Sequence, residues 1–111
     1  LLALMASGMN GQQFKFHGYL PIDKNERIRF IKNLEKDTRS SGTTHLFIET
    51  PFRNRQLLDD LLRILDGPTH LCVACDLTLP GELIRSASVN AWKKSSLPDL
   101  HKRPAVFCIG H

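Results

Sequence analysis

THLFIETPFRN, residues 44–54, carries the reading of the whole chain. Thr44 to Ile48 is a short run of strand formers that stops at two polar residues before a proline. Proline lacks an amide hydrogen and fits the first helical turn, so Pro51 marks a helix start and Thr50 is its N-cap candidate. The helix pattern follows at once, with Leu57, Leu58, Leu61, Leu62 and Leu65 forming an apolar stripe through Pro51 to Leu65. A strand that feeds a helix places its carboxyl end, here Glu49 and Thr50, where open α/β sheets present ligands.

Upstream, Phe14 to Leu20 alternates as a strand and is closed by Pro21 and the polar turn Asp23-Lys24-Asn25. Glu26 to Lys36 then reads as a helix, with Ile28, Ile31 and Leu34 inward, Phe30 flanking them, and Arg27, Lys32, Glu35 and Lys36 facing water. Ser40-Ser41-Gly42 ends it. Downstream, Asp66-Gly67-Pro68 stops the second helix and His70 to Cys75 supplies a third strand. After Leu79-Pro80-Gly81, the segment Glu82 to Ser86 alternates as a fourth strand. Val89 to Lys93 is a short helix anchored by Trp92, Ser95 to Arg103 a polar loop, and Pro104 to Ile109 the last strand. The order βαβαββ(α)β predicts an α/β fold with a mixed, five-stranded sheet: helical crossovers give parallel neighbours, and the short loop allows an antiparallel one.

The 111 residues, 41% apolar and 23% charged, suffice for one modest core. A formal charge of +4 suits a polyanionic partner, although Lys and Arg are scattered without a dense block. No apolar run approaches the roughly 20 residues that span a bilayer, so no membrane span is expected. The opening LLALMASG reads as the end of an apolar helix, closed by Gly8 in a left-handed conformation and followed by the turn Asn10-Gly11. Cys72 and Cys75 lie three apart in a strand and therefore on opposite faces, which predicts unlinked, metal-free thiols in a cytoplasmic protein. His17, His45, His70, His101 and His111 form no metal-ligand spacing.

Three stretches come in a telling order: Phe14-x-Phe16-x-Gly18-Tyr19-Leu20-Pro21, then Phe47-Ile48-Glu49-Thr50-Pro51-Phe52-Arg53, then Ala74-Cys75-Asp76-Leu77-Thr78. They resemble the tetrapyrrole methylase superfamily of S-adenosylmethionine-dependent methyltransferases. Its branch that methylates a cytidine 2′-hydroxyl in 16S ribosomal RNA runs GFLP, ESPxR and ARELT. The resemblance implies that residues 1–111 are the carboxyl-terminal domain of a two-domain enzyme whose amino-terminal domain, with the main cofactor loops, lies upstream. It further implies S-adenosylmethionine as cofactor, held by Glu49, Thr50, Leu77, Thr78, Pro104 and Ala105, with Arg53 on the substrate. Cys75, Leu79 and Asp23 stand where the ribosomal branch carries cations, so the acceptor is RNA or, alternatively, a tetrapyrrole.

Methyl transfer from a sulfonium chiefly requires alignment and exclusion of water, and Glu49 is the one acidic residue at a promising strand end. The rival class is a non-catalytic basic module that binds RNA or protein through Arg53, Arg55 and Lys93-Lys94. The cofactor reading carries a geometric expectation: Glu49-Thr50, Leu77-Thr78 and Pro104-Ala105 converge at one sheet edge, which demands an antiparallel last strand. The apolar shelf so formed, or the Leu1 to Met5 stub, would then seek a partner: the absent domain or a second copy.

Overall fold

β1, β2 and β3 end where the sequence changes from an apolar run to proline or charge: Leu20-Pro21, Glu49 and Asp76. The computed structural model describes residues 3, 7–9, 13–100 and 102–110. Its elements are β1 (Phe14–Tyr19), α1 (Lys24–Ser41), β2 (Thr44–Ile48), a 3-10 turn (Pro51–Arg53) leading into α2 (Asn54–Ile64), β3 (His70–Cys75), β4 (Leu83–Ser88), α3 (Val89–Lys93) and β5 (Ala105–Gly110). The strands form one sheet in the order β1-β2-β5-β3-β4. β1 and β2 are parallel, and β5 runs antiparallel to both β2 and β3, as β4 does to β3. The mixed five-stranded α/β sheet is therefore as expected.

α1, α2 and α3 cover one face. Phe47, Leu71, Val73, Phe107 and Ile109 point toward Ile31 and Leu34 of α1 and the leucine stripe of α2. Trp92 is fully buried there, with its indole N–H donated to the Leu71 carbonyl at 2.8 Å and the Arg85 guanidinium 5.0 Å from its ring. The other face carries a smaller cluster of Leu46, Cys72, Ala74 and Cys108 beneath Ala3. Cys72 and Cys75 thus lie on opposite faces and are unlinked. Cys72 and Cys108 are cross-strand partners, and the Cys108 thiol is pushed up by its hydrogen bond with Cys72 and by burial.

Several local expectations are corrected. α1 is longer than its apolar periodicity indicates: Asp23 caps it by accepting the Glu26 amide at 3.0 Å, and Gly42, at φ 77°, closes it. Arg27 and Glu35 face inward rather than toward water, and Ile28 is only half-buried. Glu35 is buried because its carboxylate accepts from the Thr69 hydroxyl and the Asp66 amide, tying α1 to the turn before β3. The segment Pro51 to Leu65 divides at Asn54, since Pro51 opens a 3-10 turn and not the α-helix itself. Gly8 has the left-handed φ of 72°. The expectations for most of the Leu1 to Met5 stub, Asn10-Gly11, His101 and His111 lie outside the described residues.

Gly18 sets the end of β1. Phe16 pairs with Leu46 and Tyr19 with Ile48, so three steps on β1 match two on β2, and Gly18 sits in this bulge at φ 69°. In a regular strand Tyr19 would face away from Phe16; the bulge turns it to the same side as Ile48. On the helical side, His17 Nε2 lies 2.8 Å from His45 Nδ1, and His45 Nε2 lies 2.7 Å from Asp37 Oδ2. Asp37 and His17 thus hold the two nitrogens of the His45 ring from opposite sides.

Gly18→Ala is expected to cost about 1–2 kcal/mol from the left-handed backbone alone, because no atom lies within 4 Å of a Cβ added there; urea denaturation measures this. Burial, then the proximity of His45 and Lys15, lowers the His17 pKa from 6.5 against the pull of Asp37. The unfolded chain therefore binds more protons just below pH 6.5, and stability is lost as the pH falls from there toward the folded pKa. His17→Gln should flatten that dependence in denaturation midpoints taken across the window.

Candidate functional site

β5 begins where β2 and β3 end, because it is antiparallel to both. Ala105 pairs with Cys75 and Val106 with Ile48, which brings Pro104-Ala105 to the carboxyl ends of β2 and β3. The result is an open, mainly apolar cleft of ≈ 390 Å³ lined by Tyr19, Ile48, Glu49, Pro51, Ala74, Asp76, Leu77, Leu79, Pro104, Ala105 and Val106. Its size and lining are those of a small-molecule site. Beside it, and sharing Tyr19 and Glu49 with it, a second hollow of ≈ 360 Å³ is lined also by Leu20, Pro21, Ile22, Thr50 and Arg53. Glu49, Leu77, Pro104 and Ala105 therefore share one cleft, and Thr50 and Arg53 line its neighbour. Thr78 lines neither; it stands at the rim, exposed, with its amide donated to Glu82 at 3.0 Å. Tyr19, Ile22, Phe52 and Leu79 are all more than half exposed around this edge.

The loop after β3 is held in an unusual backbone. Asp76 and Thr78 both have left-handed φ angles, 50° and 66°, which side chains with a Cβ adopt at a cost. Compensation comes from the loop before β5. The Asp76 amide donates to the Pro104 carbonyl at 2.9 Å, and Arg103 Nε donates to the Asp76 carboxylate at 2.7 Å. The same guanidinium reaches the carbonyls of Asp99 and Gly81. Asn54, fully buried at the start of α2, donates to the Arg103 carbonyl at 2.5 Å, while the Lys102 amide donates to the Pro51 carbonyl at 3.1 Å. Three loops distant in sequence are thereby stapled around the cleft.

Asp76 and Arg103 were not singled out as site residues from the sequence. A signal existed: the residue after β3 and the residue before Pro104 become neighbours once β5 is antiparallel, and they carry opposite charges. Thr50 occupies the cap position with an extended backbone, but its hydroxyl makes no capping bond.

Glu49 is buried, and both carboxylate oxygens are engaged. Oε1 accepts from the Thr50 amide at 2.8 Å and Oε2 from Arg27 Nη1 at 3.0 Å. Arg27 also approaches Asp60 at 3.6 Å. This pair explains why Arg27 turns inward, and it makes Glu49 a fixed acceptor at the cleft rather than a free base. No histidine lines the cleft among the described residues, and none of their His, Cys, Asp and Glu side chains cluster as a metal site. No helix of the described residues is long and apolar enough to cross a membrane.

No family model matches the chain. Among curated proteins it is 30% identical to ribosomal RNA small subunit methyltransferase I of Buchnera aphidicola over 98% of its own length and 38% of the relative's. It is 37% identical to the protein of the same name from Halalkalibacterium halodurans over 68% of the chain and 25% of the relative. The chain thus spans well under half the length of these relatives. Among solved structures, the methyltransferase CobJ superposes over 98% of this chain and 46% of its own, with a TM-score of 0.57 at 18% identity. Uroporphyrin-III C-methyltransferase of Thermus thermophilus, solved with S-adenyl homocysteine, superposes over 98% and 49%, at a TM-score of 0.52 and 17% identity.

Arg27→Met is expected to destabilise the chain by about 3–5 kcal/mol, since it strands the buried Glu49 carboxylate. The double variant Arg27→Met/Glu49→Leu should recover part of that loss in urea denaturation. The chain is thus similar in sequence to part of ribosomal RNA small subunit methyltransferase I, and its fold is similar to part of CobJ and of uroporphyrin-III C-methyltransferase.

Proposed function

We propose that this chain is the carboxyl-terminal domain of an S-adenosylmethionine-dependent methyltransferase, and that its apolar cleft is one wall of the cofactor site. The observation that carries this reading is the meeting of Glu49, Leu77 and Pro104-Ala105, from three separate loops, in one cleft of small-molecule size. The relatives' names, and the S-adenyl homocysteine in the Thermus thermophilus structure, support the choice of cofactor. The residues present suit it: Leu77, Leu79, Ala74 and Val106 offer apolar surface for an adenine, and the loop with left-handed Asp76 and Thr78 places Asp76, Leu77 and Leu79 in the lining. When bound, S-adenosylmethionine supplies an activated, electrophilic methyl group.

The work of this domain is alignment and exclusion of water. Leu77 and Pro104 wall the cofactor cleft. Thr50 and Thr78 contribute at its margins, and Arg53 meets the acceptor from the adjoining hollow. Glu49 positions the strand end through its two engaged oxygens and does not take the acceptor's proton. The acceptor is a ribose 2′-hydroxyl of ribosomal RNA, in line with the relatives' names; a tetrapyrrole, named for the Thermus thermophilus neighbour, is the alternative.

The exposed shelf of Tyr19, Ile22, Phe52 and Leu79 is covered in the full protein by its amino-terminal domain, and a homodimer contact is the second way of covering it. Three unlinked, buried thiols accord with a cytoplasmic protein. The module reading is less favoured, because Arg55 is engaged with Asp59 at 3.1 Å and Lys93-Lys94, at the end of α3, line neither hollow.

Calorimetry of the full-length protein with S-adenosylmethionine is expected to give one-site binding, weakened roughly tenfold or more by Leu77→Asp, which buries a charge against the ligand. The isolated 111-residue chain is expected to turn over no labelled cofactor. An unaffected Leu77→Asp variant, or turnover by the chain alone, contradicts the reading.

A further inference from the structure

The cofactor cleft does not end at Tyr19. Its neighbouring hollow shares Tyr19 and Glu49 with it and ends at Ile22, and Ile22 is also a wall of a third, polar hollow of ≈ 210 Å³ between the start of α1 and one side of α2. That hollow is lined by Lys24, Arg27, Gln56, Asp60 and Arg63. Four cations therefore follow the cleft, Arg53, Lys24, Arg27 and Arg63, against two carboxylates, Glu49 and Asp60. Arg27 is consumed by Glu49, and Arg63 holds Asp60 at 2.9 Å. Arg53 and Lys24 have no carboxylate within salt-bridge distance among the described residues, so the surplus charge lies beyond the cofactor cleft, on the outer side of Tyr19. Tyr19 is 63% exposed at this junction, aimed there by the Gly18 bulge.

We propose that the three hollows form one track for single-stranded RNA, with the acceptor nucleotide's base stacked on Tyr19 beside Arg53 and the adjoining backbone phosphate over Lys24 and Arg63. The proposal rests on the reading of RNA as acceptor and adds to it the path and the residues. An aromatic face next to unpaired cations is the arrangement that binds an unstacked strand without reading its sequence. A phosphate over the polar hollow meets a surplus of positive charge and releases counterions. A folded duplex cannot present one base to Tyr19 without opening.

The test uses the full-length protein, a labelled short single-stranded RNA followed by fluorescence anisotropy across a salt series, and cofactor calorimetry on the same samples. Tyr19→Ala is expected to weaken RNA binding roughly tenfold with an unchanged salt slope. Lys24→Gln and Arg63→Gln are each expected to lessen the slope of log K against log salt by about 0.7, the value for one single-strand phosphate contact. Cofactor binding should persist in the Lys24 and Arg63 variants. If Lys24→Gln and Arg63→Gln leave the salt slope unchanged while the wild type binds both cofactor and RNA, the track is wrong and the proposed function stands. If the wild type binds cofactor and a carboxylated porphyrin but no RNA, the acceptor reading fails and the track with it.

Discussion

The insertion of β5 between β2 and β3, antiparallel to both, is the constraint on which the site depends. With a parallel β5, Pro104-Ala105 would begin at the opposite edge of the sheet from Glu49 and Leu77, and no cleft would form. Antiparallel pairing instead gathers the ends of two strands and the start of a third. The chain reaches that start through a segment whose described residues, 94–100 and 102–104, form neither helix nor strand and therefore need side-chain anchors. Arg103, Asn54 and the Lys102 amide supply them. The fold thus fixes where the loops meet, and a few polar side chains fix their shape.

Buried charge follows the same logic. Arg27 and Glu35, on one helix, both point inward, and each is paired by a group outside that helix: Arg27 by Glu49 at the end of β2, and Glu35 by Thr69 and Asp66 before β3. Each clamps α1 to the start of a different loop. Such pairs are costly to break and specify one arrangement of helix on sheet. Glu49 of the Arg27–Glu49 pair lines the cleft, so the stability of α1 and the position of a site residue rest on one interaction.

Most of the fold was legible because β-branched and aromatic runs, proline stops and the leucine stripe of α2 each report local structure directly. β2, β3 and α3 fall where their patterns place them. Arg27 and Glu35 were misplaced because helical periodicity sorts residues by polarity and cannot see that a charge has a distant partner. The cap of α1 at Asp23 was hidden inside what reads as a polar turn. At the site, the grouping of Glu49, Leu77, Pro104 and Ala105 was legible through the motifs and the antiparallel requirement. The stapling by Asp76 and Arg103 was not, since it is a contact between two loops that local patterns do not encode. The role of Gly18 as a bulge was likewise invisible without the register of β1 against β2.

Hydrogen-exchange mass spectrometry of the full-length protein, with and without S-adenosylmethionine, tests the central claim most directly because it reports backbone protection segment by segment. The account predicts slowed exchange in residues 75–79 and 103–106, with the sheet interior unchanged. Protection confined to segments away from the ends of β2 and β3, or none in this chain while the cofactor is demonstrably bound, would contradict it.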